Sequence, residues 1–148
     1  METIHTADQM YSRWDLAPVG AGAVVVARDR VVALGAFADL RERWPTARVR
    51  TWPGALGPGR VHDGPLPDAP TPRERVHAVL KTGATAVVEE HLDAPGLRAA
   101  AERNDLLVLP HARPSLITDA GRADLAVLDA DGACIATVCA GRLVHRRR

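Results

Sequence analysis

Two β-rich stretches sit at opposite ends of the chain, and the residues between them follow a different period. Near the start, Val24-Val25-Val26 and Val31-Val32 flank the polar turn Arg28-Asp29-Arg30, which predicts a hairpin over residues 24–34. Near the end, residues 124–128, 134–139 and 142–145 read as three further strands, parted by Asp129-Ala130-Asp131-Gly132 and by Ala140-Gly141. These stretches read as two halves of one small β-domain, residues 1–61 and 113–148, interrupted by residues 62–112. The chain is then a single domain over residues 1–148, long enough to bury a core without metal or disulfide staples.

The interruption carries helical and strand signals in turn. Thr71-Pro72-Arg73-Glu74 predicts a helix start, with Thr71 as N-cap, Pro72 at the first helical position and Glu74 closing a capping box. Val76, Val79 and Leu80 give that helix an apolar stripe, and Gly83 ends it. A strand over residues 85–88, a helix over 94–104 with Leu97 and Ala101 inward, and a strand over 106–109 follow. That rhythm predicts two parallel strands in an αβαβ insert joined by a right-handed crossover. The fold class expected is therefore mixed β with an α/β insert, a small β-sandwich or barrel-like body from both chain ends.

Within the first half, Phe37, Leu40 and Trp44 recur at helical spacing over residues 36–44, and Pro45 stops the helix. Residues 48–51 read as a half-buried strand with Val49 and Thr51 on one face, and residues 53–72, thick with Pro and Gly, as loop. Residues 3–6 and 11–14 read as short edge strands. Aromatic residues make up only 3% of the chain, so Val, Leu and Ala must build the core, with Trp44 and Trp52 filling it.

A formal net charge of +1 gives no general electrostatic reason to expect a nucleic acid or a membrane as partner, and the Arg146-Arg147-Arg148 end reads as solvated. Cys134 and Cys139 lie five residues apart on one strand, which points them to opposite faces, so free thiols are expected. Neither a signal peptide nor a membrane-spanning apolar run is visible at Met1 or beyond, which places the expected localisation in the cytoplasm.

The phrases Leu56-Gly57-Pro58-Gly59-Arg60-Val61 and Ala123-Asp124-Leu125-Ala126-Val127-Leu128-Asp129, with the hairpin Gly22–Gly35, resemble the composite β-domain of the amidohydrolase superfamily. The likeness is to its imidazolonepropionase-like and aminodeoxyfutalosine-deaminase-like members. In that family the two halves flank a metal-bearing (β/α)8 barrel, which takes about 200–250 residues or more. The resemblance implies that residues 62–112 replace that barrel. It also implies a His-x-His metal pair soon after Val61, yet Gly64 stands where a pair begun at His62 needs its second imidazole. Lys81 falls in a helix and does not take the place of the family's carboxylated lysine. No catalytic residue is carried over.

One constellation keeps metal chemistry open. His91 follows the strand over 85–88 beside Glu89 and Glu90, His111 follows the strand over 106–109, and His62 leaves the β-domain. Together His62, His91 and His111 would suit a zinc or another divalent site with an open position, able to activate water. Against it, isolated histidines after strands are common and these form no compact ligand motif. His77 reads as solvated, and His5 and His145 as structural or exposed.

Three functions stay open: a non-catalytic stand-alone composite domain that binds a protein or small-molecule partner, with no cofactor; a minimal metal-dependent hydrolase of non-peptide C–N bonds; and a structural oligomerising protein. Loss of the barrel would uncover an apolar face, for which the insert or a second copy in a twofold homodimer is the expected cover.

Overall fold

The computed structural model describes residues 1–148. The first half holds β1 (Glu2–Met10), β2 (Val19–Gly20), β3 (Gly22–Ala27), β4 (Arg30–Ala36), α1 (Phe37–Arg43) and β5 (Arg48–Pro58). Then come β6 (Arg60–His62), α2 (Pro72–Leu80), β7 (Ala84–Val88), a 3-10 turn (Glu89–His91), α3 (Leu97–Arg103) and β8 (Leu107–Leu109). The end of the chain supplies β9 (Leu125–Leu128), β10 (Cys134–Cys139) and β11 (Arg142–Arg146).

An eight-stranded sheet runs β11-β10-β9-β5-β1-β3-β4, with β2 paired to β1. The two ends of the chain meet at β5 and β9, whose antiparallel register sets Ala55 opposite Leu128, Leu56 opposite Val127 and Gly57 opposite Ala126. The sheet also curls back on itself. Val31 N donates to Gly121 O (2.9 Å), Ala120 N to Val31 O (2.8 Å) and Ala123 N to Asp29 O (2.7 Å), so residues 120–123 cover the outer edge of β4. The result is a barrel-like, mostly β body with an αβαβ insert.

The valine runs read as continuous because both faces of the central strands are buried. On β3, Val24 and Val26 enter a core with Met10, Leu56, Leu125 and Val127, whereas Ala23 and Val25 enter a second core with Ile4 and Leu40 beneath α1. A third core lies between the insert's helices and its sheet: Val76, Val79 and Leu80 of α2, Leu97 and Ala101 of α3, and Val87 of β7. Cys139 of β10 belongs to it, and Thr137 Oγ1 donates to Leu80 O at 2.7 Å in a buried bond. The insert therefore packs on the β-body and covers part of its surface.

The α2 start follows the sequence: Thr71 Oγ1 accepts from Glu74 N at 3.2 Å and donates to Glu74 Oε1 at 3.1 Å. The second insert helix is shorter than residues 94–104, because Gly96, in the left-handed region at φ +82, delays its start to Leu97. Both cysteines are free.

Four expectations are corrected. Residues 3–6 belong to β1, which lies between β3 and β5 and is no edge. Its polar residues hid this, yet they are satisfied inside: Thr6 Oγ1 donates to Gly22 O at 2.9 Å, and His5 Nδ1 accepts from Trp52 Nε1 at 3.1 Å. Residues 11–14 form no strand. Instead Trp14 Nε1 donates to Pro58 O at 2.9 Å and its ring sits where a side chain on Gly57 would be.

The strand begun at Arg48 does not stop at Thr51 but runs through Pro53-Gly54 to Pro58. Between the pairs Ala7–Trp52 and Gln9–Ala55 the β1–β5 register shifts, so Pro53 and Gly54 occupy a bulge, where a missing N–H is tolerated. Finally, residues 60–62 are strand and not loop. Arg60 N donates to Gly83 O at 2.9 Å, and β6 pairs in parallel with β7, which in turn pairs with β8. Gly59 permits this approach, since a Cβ there would lie 2.1 Å from Thr85 Oγ1.

Candidate functional site

Neighbouring parallel strands deliver the residues that follow them to one end of the sheet. Asp63 leaves β6 and the turn Glu89–His91 leaves β7, so these residues become neighbours. His91 Nε2 lies 3.0 Å from Asp63 Oδ1 and 3.6 Å from Glu90 Oε1, and the three ligand atoms fall within 4.8 Å of one another. Asp63 and Glu90 are 53% and 74% exposed, so this is an open surface cluster. Glu89 turns to Arg98 instead.

Of the three histidines considered from sequence, only His91 joins this cluster. His62 Nε2 sits 3.0 Å from Pro65 O, and His111 is exposed beyond the end of β8. Asp63 was missed because nothing in its sequence context marks it; only the pairing of β6 with β7 brings it to His91. The donors do not fit the metal centre that the family resemblance implies, since β6 offers one imidazole where a pair is needed and Gly64 carries no side chain. An imidazole and two carboxylates are nevertheless donor types that zinc accepts.

A cavity of about 460 Å³ opens on the opposite face of the three-stranded sheet from the insert's helices. Its floor is largely apolar: Val61 of β6, Ala86 of β7, and Leu107 and Leu109 of β8, with Thr85 of β7 beside them and register pairs Val61–Ala86–Leu107 sharing a face. Its walls come from the β-body and from residues 113–122, and carry Arg30, Arg113, Arg122, Ser115 and Thr118. Arg122 is engaged, with Nε 2.9 Å from an Asp124 carboxylate oxygen and a further bond to Cys139 Sγ at 3.2 Å. Arg113 makes no side-chain hydrogen bond or ion pair, and the nearest carboxylate to Arg30 is Asp29 at 3.8 Å. No sequence signal pointed here, because the lining comes from five separate stretches of chain.

A second basic feature is a shallower hollow of about 200 Å³ between Arg48, Arg50, Trp52 and Arg146. The Arg146 guanidinium lies 5.4 Å from the Trp52 ring centroid. Burial, then the charges of Arg48 and Arg146, lower the Arg50 guanidinium from its usual range. Cys139 is no ready nucleophile, since burial first and the Asp124 charge next push its thiol up to about 11.

His5, only 3% exposed, is held neutral: burial first and the Arg50 charge second push it down from 6.5 to about 4. Its Nδ1 accepts the Trp52 N–H, which a proton there would displace. The folded value lies below the unfolded one, so His5 has no effect above about pH 6.5. Stability is then lost as pH falls toward 4, where the loss levels off. We expect this loss to reach about 3 kcal/mol. Urea midpoints between pH 7 and pH 4.5 should fall further for the wild type than for His5→Gln; parallel curves would contradict the assignment.

The bacterial imidazolonepropionase-like composite-domain family matches residues 22–47, which are β3, β4, α1 and the turn after it. Among solved structures, guanine deaminase of E. coli superposes with a TM-score of 0.54 at 14% identity, covering 73% of this chain and 35% of that one. Guanine deaminase of Bradyrhizobium japonicum gives 0.54 at 13%, covering 73% and 34%. Ochratoxinase of A. niger gives 0.51 at 18%, covering 72% and 30%. Residues 22–47 are thus similar to an imidazolonepropionase-like composite domain, and the β-body shares its fold with part of these structures. At these identities the structural likeness is one of fold, and the chain spans about a third of the length of these three structures. No curated protein is similar to it in sequence. Between the two halves of the β-body the chain carries three parallel strands and their helices.

Proposed function

We propose that this composite domain is a non-catalytic binding or accessory protein of the cytoplasm, needing no cofactor and using the cavity over β6–β7–β8 as its ligand site. The cavity is the observation that carries this reading. Three strands cannot close the eight-stranded barrel in which such enzymes hold their chemistry. The sheet face left open is instead roofed by residues 113–122, and the lining offers guanidinium and hydroxyl donors without a nucleophile–base pair. A homodimer, expected from sequence, belongs to the same proposal and would show as twice the monomer mass in sedimentation equilibrium.

The cluster Asp63–Glu90–His91 favours a second reading, a metal-dependent hydrolase of C–N bonds. One experiment separates the two. Purified protein is loaded with zinc, dialysed, analysed for metal and incubated with guanine, the base in the name of two structural neighbours. The binding reading expects well under one zinc per chain and no ammonia release. One zinc per chain, lost in His91→Ala and accompanied by ammonia release, would overturn it in favour of the hydrolase.

A further inference from the structure

We propose that, the cavity over β6–β7–β8 being a ligand site as read above, its ligand is a small organic anion: an oxyanion head group on an apolar body, held by Arg30 and Arg113. Over the whole chain positive and negative charges nearly cancel, 19 Lys and Arg against 18 Asp and Glu. The cavity breaks that balance. Three guanidinium groups line it against one carboxylate, Asp124. That carboxylate is already committed, since it pairs with Arg122 and Oδ1 also accepts from Ala140 N at 2.9 Å. Arg113 is left without an acceptor inside the protein, and Arg30 has only the loose contact with the exposed Asp29 at 3.8 Å.

Each guanidinium presents five donors in a planar fork that matches the two oxygens of a carboxylate or phosphate. Set in a concavity over an apolar floor, their field is focused where a ligand would sit. The head group therefore belongs beside Arg30 and Arg113, with Ser115 and Thr118 hydroxyls as further donors. The remainder of the ligand is specified by the floor, where Val61, Ala86, Leu107 and Leu109 present only hydrocarbon. A volume of about 460 Å³ suits a small molecule.

The walls are also held in place, which limits the ordering cost of binding. Arg30 opens β4, whose edge is tied to residues 120–121 by the Val31–Gly121 and Ala120–Val31 bonds. Residues 113–118 are pinned by the buried Ile117, whose N donates to Ser12 O at 2.8 Å. The hollow beside Arg48, Arg50 and Arg146 has the charge but lacks both the volume and the apolar floor.

The test is a titration of the ¹⁵N-labelled full chain, followed by amide shifts, with three probes of one shape: benzoate, phenyl phosphate and neutral benzyl alcohol. We expect at least one anion to shift the amides of Leu116, Thr118 and Gly121 to saturation, with benzyl alcohol at least tenfold weaker. Arg30→Ala and Arg113→Ala should each weaken that anion about tenfold, whereas Arg48→Ala leaves it unchanged. The tighter of the two anions identifies the head group as carboxylate or phosphate. Equal binding of all three probes, indifferent to Arg30 and Arg113, would overturn the anion assignment while leaving the ligand site standing. An equal loss in Arg48→Ala would reduce it to general surface charge. No shift at the cavity with any probe would remove both the anion and the ligand site.

Discussion

Gly141→Ala is expected to lower the free energy of unfolding by about 3 kcal/mol or more. Two causes add. Ala140 and Gly141 both take positive φ, +49° and +81°, in the two-residue turn between β10 and β11, and the left-handed region costs a residue with a Cβ. More important is what the turn touches. A Cβ on Gly141 would lie 1.7 Å from Arg28 O and 3.0 Å from Asp29 Cα, backbone atoms of the β3–β4 turn that no side-chain rotation can move aside. The two turns belong to opposite ends of the chain, so the clash is a wedge between the halves of the β-body. Gly132→Ala is the control: its φ is +80° but nothing lies within 4 Å of an added Cβ. It should cost only the conformational part, about 1–2 kcal/mol. Urea unfolding of both variants checks this, and equal losses would mean that the two turns do not touch.

Leu125→Ala should cost about 2–5 kcal/mol, the usual range for emptying a sealed core position. Leu125 is fully buried at the start of β9, opposite Pro58 on one side and Val138 on the other. Its side chain shares a core with Met10, Val24 and Leu56 from the first half of the chain. Strands on both flanks hold the backbone, so the space left cannot easily close. Leu116→Ala, at a leucine 54% exposed, should change stability by less than about 0.5 kcal/mol. A loss below about 1 kcal/mol for Leu125→Ala would show that β9 does not complete the first-half core.

The elements legible in the sequence are those whose local signals agree with their final surroundings. The hairpin of β3 and β4, the capping box at Thr71, and the β9–β10–β11 meander with its Asp129 and Gly141 turns all carry their own instructions. Elements went unread where tertiary context overrode local chemistry. β1 looked like an edge because His5 and Thr6 are polar, and only the distant Trp52 and Gly22 supply their partners. β5 looked finished at Thr51 because Pro53-Gly54 reads as a breaker, whereas two flanking strands turn it into a bulge. The candidate sites follow the same logic. His91 was within reach because residues after a parallel strand are natural candidates, but Asp63 needed the unforeseen β6. The cavity is assembled from β4, β6 to β8, and residues 113–124, stretches that no spacing rule links.

The union of the two chain ends rests on the β5–β9 pairing, and cross-strand nuclear Overhauser effects read it directly. The pairs to examine are Ala55 with Leu128, Leu56 with Val127, and Gly57 with Ala126. Close backbone proton contacts in that alternating antiparallel register are predicted for the intact protein in solution. Their absence, with residues 125–128 showing contacts only to β10, would contradict a shared β-body and with it the composite-domain account.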